Sequence, residues 1–115
     1  MSKNTIKIAN CSGFYGDRLS AAKEMVDGGP IDVLTGDYLA ELTMAILYGQ
    51  KIQRGEKAGY VGTFLKQLKQ IASSCSEKNI KVVSNAGGLN PKSMADEVKN
   101  ILDSEGLNLK VAYID

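Results

Sequence analysis

The sequence contains no histidine and no tryptophan, and it has only two cysteines and two prolines in 115 residues. Without histidine the chain alone cannot build Ser-His-Asp or Cys-His relays or imidazole metal sites. Acid–base chemistry must therefore come from carboxylates, lysine, tyrosine or a partner chain. The two cysteines, Cys11 and Cys75, are far apart and form no CxxC pair, which argues against a zinc site or a disulfide scaffold.

Strong charge and long apolar runs are also lacking. The net charge of +1 gives no reason to expect a nucleic acid or an anionic membrane as partner. No apolar run approaches the length of a transmembrane helix, and the first residues lack the apolar core of a signal peptide. With 43% hydrophobic and 23% charged residues, the sequence predicts one cytoplasmic domain over residues 1–115.

Short β-rich runs alternate with longer amphipathic segments along the chain. The predicted strands are Ile6–Ala9, Ile31–Leu34, Ile80–Ser84 and Leu109–Ile114. Strands that alternate with helices form parallel β-α-β units with right-handed crossovers. The sequence therefore predicts an α/β fold of three layers. Its open parallel sheet has about four strands in the Rossmann- or flavodoxin-like order 2-1-3-4, with helices on both faces.

Four helices are expected between these strands. Asp17 is the natural N-cap of the first, with Ala21, Ala22, Met25 and Val26 turned inward. The second, about 38–51, is apolar on most sides and should be buried against the sheet or a partner, and the polar segment 50–59 that follows should be a mobile surface loop. The third, 60–77, carries Cys75 on its apolar face, which predicts a core thiol. The fourth begins at Asn90-Pro91, an N-cap followed by proline.

Each of the first three strands leads into a loop rich in Gly, Asn, Ser or Asp that opens a helix. In open α/β sheets, ligands bind beyond the carboxyl ends of the strands, where the strand order reverses. The sequence therefore predicts that the three loops form one ligand site. The candidate ligand-binding residues are Ser12, Gly13, Gly16, Asp17 and Arg18 in the first loop, and Asn85, Gly87, Gly88 and Asn90 in the third. Their amides and small side chains suit a phosphate, a carboxylate or a thioester oxygen. The equal alternative is that the glycines only let the chain turn.

Asp37 and Glu41 are the candidate catalytic residues, in the segment after the second strand. On a helix, residues four apart place both carboxylates on one face. That pairing suits acid–base chemistry, whereas the alternative is that Asp37 caps the helix and Glu41 complements its dipole.

Two further chemistries stay open at these loops. Cys11 follows the first strand near a helix N-terminus, a position that lowers a thiol pKa, but without a histidine base a structural or pocket-lining role is favoured. Asp17, Asp37, Glu41 and Asn85 offer oxygen atoms of the kind that Mg²⁺ binds. Their spacing demands no ion, and no metal site is predicted.

Three segments, residues 10–18, 36–44 and 85–91, together resemble the acyclic terpene utilisation (AtuA-like) proteins. The resemblance covers almost the whole chain and keeps the order of the segments. It implies a cytoplasmic α/β protein linked to the catabolism of acyclic terpenes such as citronellol and geraniol, in pathways that run on coenzyme A thioesters. It supplies no established catalytic residues.

Members of that family are longer, and the three segments belong to their N-terminal part. The resemblance therefore implies that this chain self-associates or binds a partner chain. The leading hypothesis is an enzyme domain for a small acyl or acyl-CoA-type substrate. The alternatives are a non-catalytic interaction or regulatory fragment that docks through the 39–48 helix and the last strand, and a nucleotide-binding module.

Overall fold

The structure is a computed structural model that describes residues 5–13, 15 and 17–114. Its elements, in chain order, are β1 (Ile8–Asn10), α1 (Ala21–Asp27), β2 (Val33–Gly36), α2 (Glu41–Arg54), α3 (Gly62–Lys78), β3 (Lys81–Ser84) and α4 (Pro91–Ser104). The α/β class, the parallel sheet and the four helices are confirmed. No helix in these described ranges is long and apolar enough to cross a membrane.

The strand order is β1-β2-β3, with β2 in the centre and both pairings parallel. The predicted order 2-1-3-4 is therefore wrong. Each crossover leads to the neighbouring strand in the same direction, so the order does not reverse within these three strands. The parallel pairing nevertheless brings the carboxyl ends of the three strands to one edge of the sheet.

The predicted fourth strand, Leu109–Ile114, is not part of the sheet that the structure describes. Its side chains still alternate as those of a strand do. Leu107, Leu109 and Val111 pack against the core, while Ile114 is 94% exposed. Alternation determines which side chains face the core, but it does not determine which strand edge a segment pairs with.

One face of the sheet is covered by helices, and the other is open. Ala9, Leu34 and Val82 project into the core formed by α1, α3 and α4. Side chains of successive strand residues point to opposite faces, and on the other face Ile8 is 64% and Val83 is 60% exposed. The predicted layer of helices on both faces is therefore not present among the described residues.

Helix α2 is not buried against the sheet, and its predicted burial against a partner stays a prediction. Only Thr43 and Leu47 of its residues are buried, and Leu47 packs into a second core cluster with Tyr38, Val61, Phe64 and Ala86. The exposed large apolar side chains of α2 are Leu42, Ile46, Tyr48 and Ile52.

The starts and buried faces of the other three helices agree in part with those predicted from caps and apolar pattern. Helix α1 begins three residues later than an Asp17 cap would allow, with Ser20 at its N-cap, and Met25 is 37% exposed rather than inward. Helix α3 buries the predicted apolar face, including Cys75. Asn90 caps α4, where its side chain accepts from the Ser93 N–H, with Pro91 at the first helical position.

Gly88 has a conformation and a packing environment that both require glycine. Its φ is +56°, and a Cβ there would lie 2.5 Å from Leu47 Cδ1 and 2.9 Å from the Gly59 carbonyl oxygen. Gly106 has a similar φ of +71°, but a Cβ there would meet nothing within 4 Å. A substitution of Gly106 therefore tests backbone strain alone, whereas a substitution of Gly88 tests strain together with steric overlap.

We predict that Gly106→Ala lowers the free energy of unfolding by about 1 kcal/mol, the cost of a left-handed residue with a side chain. Gly88→Ala should cost about 2 kcal/mol more, because the added methyl group also overlaps packed atoms. Urea unfolding followed by circular dichroism measures both values. Equal losses for the two variants would contradict the described packing around Gly88.

Candidate functional site

The three strand-end loops contact one another through backbone hydrogen bonds at the carboxyl edge of the sheet. The Cys11 N–H donates to the Thr35 carbonyl at 2.9 Å, and the Asp37 N–H donates to the Ser12 carbonyl at 3.0 Å. These bonds extend the parallel pairing of β1 and β2 beyond the strands themselves. The first two loops are therefore joined directly.

Asn85 joins the third loop to the second. Its Oδ1 accepts from the Tyr38 N–H at 2.9 Å, and its Nδ2 donates to Asp37 Oδ1 at 2.8 Å. Nearby, the Ser84 hydroxyl donates to the Gly36 carbonyl at 2.9 Å. The three loops thus form one connected edge of the sheet, and the prediction that they share one ligand site stays a prediction. The side chain of Asn85 positions Asp37 within it.

The first loop is organised by the carboxylate of Asp17. It accepts from the Gly13 N–H at 3.0 Å and from the Arg18 N–H at 2.8 Å, and these two bonds lower the pKa of the Asp17 carboxyl below its usual value. The Gly13 amide predicted to hold a ligand anion is therefore occupied by a carboxylate of the chain itself. Asp17 does not cap α1, because Ser20 holds that position.

Arg18 is ion-paired with Glu24 at 2.9 Å rather than with Asp17. Both side chains are at least half exposed, and an exposed pair contributes little to stability. The guanidinium can therefore exchange Glu24 for an anionic group of a ligand at small cost. Gly16, the remaining predicted residue of this loop, lies outside the described residues.

A cleft of about 400 Å³ opens beside the first loop. Its lining residues are Asn10, Cys11, Ser12, Gly13, Asp17, Arg18, Ala21 and Met25. One side is polar, formed by the loop, and the other is apolar, formed by the first turns of α1. The cleft therefore suits a ligand with a polar head and a hydrocarbon portion.

A buried polar chain below this cleft escaped the sequence analysis. Cys11 Sγ lies 3.8 Å from the Tyr38 hydroxyl, which donates to Gln67 Oε1, and Gln67 Nε2 reaches the Leu19 carbonyl at 3.4 Å. Burial raises the pKa values of the Cys11 thiol and the Tyr38 phenol. Both groups are therefore protonated at neutral pH, which supports the pocket-lining role for Cys11 over a thiolate nucleophile.

Tyr38 reaches this position because Gly36 leaves room for it. A Cβ on Gly36 would lie 2.5 Å from Tyr38 Cε2. The signal in the sequence was the Gly-Asp-Tyr order itself, because a glycine two residues before a large aromatic allows the ring to fold back over the backbone. Gln67 carried no such signal, since it lies on α3 among apolar neighbours.

Asp37 and Glu41 do not share a helix face. Helix α2 begins at Glu41 with Ala40 at its N-cap, so Asp37 stays in the loop. The prediction of a carboxylate pair stacked on one helix face is wrong, and so is the alternative of Asp37 as the cap. Both side chains are exposed at the loop edge.

The other predicted residues of the third loop are used structurally. Asn90 caps α4 and also donates to the carbonyls of Ala58, at 2.9 Å, and Glu56. A Cβ on Gly87 would lie 2.8 Å from Pro91 Cα. Packing therefore accounts for Gly87 as it does for Gly88. Within the described ranges, no three Cys, Asp or Glu side chains are grouped to hold a metal ion.

A family model matches residues 6–115 of the chain, and its description is "Acyclic terpene utilisation family protein AtuA". The match includes all three loops described above. No curated protein and no solved structure matches the chain significantly.

We predict that Tyr38→Phe lowers the free energy of unfolding by about 1–3 kcal/mol, because it leaves the buried Gln67 Oε1 without its donor. The control is Tyr48→Phe, where the parent side chain is 62% exposed and the change should be within about 0.5 kcal/mol. Urea unfolding of both variants tests this, and equal stability of the two would exclude a structural role for the buried chain.

Proposed function

Because the chain belongs to the acyclic terpene utilisation family AtuA, we propose that it acts in the cytoplasm as a domain that binds an acyl or acyl-CoA-type substrate of that catabolism. The observation that carries this proposal is the 400 Å³ cleft, which places a polar loop opposite an apolar wall. An acyl thioester has the same division into a polar carbonyl and a hydrocarbon chain.

Arg18 is the residue that we expect to recognise the anionic or thioester end. Its side chain is mostly exposed at the cleft, and its ion pair with Glu24 is easily exchanged. Asp17 also lines the cleft, so the local charge without Arg18 would repel an anion. Ala21 and Met25 would contact the hydrocarbon portion.

Asp37 and Glu41 are the groups that we propose for acid–base chemistry at the same edge. The chain has no histidine, so carboxylates at the strand ends are the available bases. Asn85 holds Asp37 by a hydrogen bond of 2.8 Å, which fixes one of its carboxylate oxygens. Glu41 is the first residue of α2 and is exposed at the same edge.

A second candidate function is that of an interaction module, and the open sheet face favours it. Parallel sheets are ordinarily covered on both faces. Here Ile6, Ile8 and Val83 are each at least 60% exposed, and α2 carries a further exposed apolar row. Exposed apolar side chains grouped on one face are typical of an interface. This proposal requires self-association or a partner chain.

We predict that a branched acyclic acyl-CoA binds the chain. At a hundredfold excess over its dissociation constant, it should raise the free energy of unfolding by about 2.7 kcal/mol, a readable shift in a thermal melt. Arg18→Gln should weaken binding about tenfold through loss of a charged contact. Lys23→Gln is the matched control, because Lys23 is an exposed cation on α1, close to Arg18 in sequence and outside the cleft.

Asp37→Asn and Glu41→Gln should retain binding in the thermal melt. In a separate activity assay, both variants should lose conversion of the thioester. Their melting temperatures should stay near that of the parent chain, because both side chains are exposed. A loss of stability of about 1 kcal/mol with conversion intact would make them structural residues instead. Absence of binding by every acyl-CoA and acyl acid tested would reject the acyl-binding function.

We predict that light scattering shows the chain to self-associate, or that the chain binds a partner chain. Val83→Lys on the sheet face and Leu42→Lys on α2 should reduce association, because each places a charge on exposed apolar surface. Asn100→Lys, at an exposed polar position on α4, is the control and should leave association unchanged. A parent chain that is monomeric and captures no partner contradicts the interaction function.

A further inference from the structure

A second cleft, of about 320 Å³, lies between the end of α2 and the start of α3. It is separate from the cleft beside Asp17 and shares no lining residue with it. The residues that line it are Tyr15, Gln50, Arg54, Lys57, Ala58, Gly59, Tyr60 and Gly62. The sequence predicts a mobile surface loop over residues 50–59, with no binding role.

The charged side chains that line this cleft are both positive. They are Arg54 and Lys57, and no carboxylate is among the described lining residues. Neither cation forms an ion pair within the described part of the chain. By contrast, Lys23, Lys92 and Lys99 are each paired with an aspartate one helical turn away. The cleft is therefore lined by two cations that form no ion pair within the described part of the chain.

Two carboxylates lie near the cleft without lining it. Glu56 precedes Lys57 in the turn and is exposed. Glu97 acts on Tyr60, whose phenol has its pKa raised first by burial and then by that charge. Neither of these carboxylates belongs to the lining, so Arg54 and Lys57 are the charged groups among the described lining residues.

The backbone around the cleft is held in place by the third strand-end loop. The Val61 N–H donates to the Ala86 carbonyl at 2.8 Å, and the Leu89 N–H donates to the Gly59 carbonyl at 2.8 Å. Asn90 binds the Ala58 carbonyl from the same side. These hydrogen bonds position the backbone of the cleft. Arg54 lies at the end of α2, and Lys57 lies in the turn that follows.

The other lining groups suit a ligand larger than a simple anion. Tyr15 and Tyr60 are partly exposed and offer ring surface, and Gln50 offers both a donor and an acceptor. Helix α3 opens on the cleft at Gly62, with no acidic residue in its first turn and no side-chain cap, so its dipole adds to the positive field. A Cβ on Gly62 would meet nothing within 4 Å, which shows open space there.

We propose that this second cleft binds the phosphate groups of a nucleotide, with Arg54 and Lys57 as the phosphate contacts and Tyr60 beside the base. Guanidinium and ammonium groups bind phosphate oxygens through charge-assisted hydrogen bonds. An aromatic ring can stack on the face of any base. The proposal is independent of whether the first cleft takes an acyl group. A structural alternative is that Arg54 only complements the dipole at the end of α2.

The test is a titration of ¹⁵N-labelled chain with ADP, inorganic pyrophosphate, adenosine and coenzyme A at constant ionic strength. We expect ADP to shift the amide signals of Gly59 and Gly62 and to leave that of Gly13 in place. Pyrophosphate should bind more weakly than ADP, and adenosine should not bind, because the phosphates supply the charged contacts. A response to coenzyme A at the same amides would identify its nucleotide end as one source of this chemistry.

The double variant Arg54→Gln, Lys57→Gln should weaken ADP binding about tenfold or more. The matched control is Lys66→Gln, Lys69→Gln, which removes the same charge from exposed positions on α3 and should bind ADP as the parent does. Equal weakening in both double variants would show non-specific charge attraction and overturn the proposal. So would ADP-dependent shifts at Gly13 alone, or none at any of the three amides.

Discussion

The buried ring of Tyr38 is the contact on which the arrangement of the loop edge depends. It packs edge-on against Phe64, with ring centroids 6.0 Å apart, and its hydroxyl donates to Gln67 on the same helix. Its backbone N–H is held by Asn85 of the third loop, and Cys11 of the first loop touches its oxygen. One residue of the second loop therefore fixes the other two loops and α3 relative to one another.

The sheet shows a different constraint, since it is buried on only one side. Three parallel strands with Ile8 and Val83 facing solvent leave apolar surface that a parallel sheet normally covers. Helix α2 packs through Leu47 into the cluster around Tyr38 and not onto this face. Because α2 anchors the loop edge through Leu47, it does not cover the exposed face of the sheet.

The sequence predicted the elements whose signals are local. Asn90-Pro91 specified a helix start, and the apolar row on α3 specified which side chains, including Cys75, enter the core. It failed where the outcome depends on partners distant in the chain. The order of the strands depends on which edge each strand meets, and the apolar residues of α2 indicated burial without indicating whether a surface was present to bury them.

For the candidate site, the sequence predicted where the loops lie but not which contacts their residues make. The position of the three loops at one edge follows from the parallel strands, whereas their joint use as a ligand site stays a prediction. What those residues do was not predictable from type alone, because Asp17 satisfies the Gly13 amide that was assigned to a ligand, and Asn90 is engaged by backbone carbonyls of the 56–58 turn. Gln67 and the Arg54–Lys57 pair were missed because neither carries a motif.

The two clefts differ in a way that bears on what each can hold. In the first, the carboxylate of Asp17 offsets the guanidinium of Arg18, and Ala21 and Met25 supply an apolar wall. In the second, Arg54 and Lys57 have no lining carboxylate to offset them. A hydrocarbon chain gains from the first environment and a multiply charged anion from the second, because apolar contact needs no net charge whereas phosphate binding does.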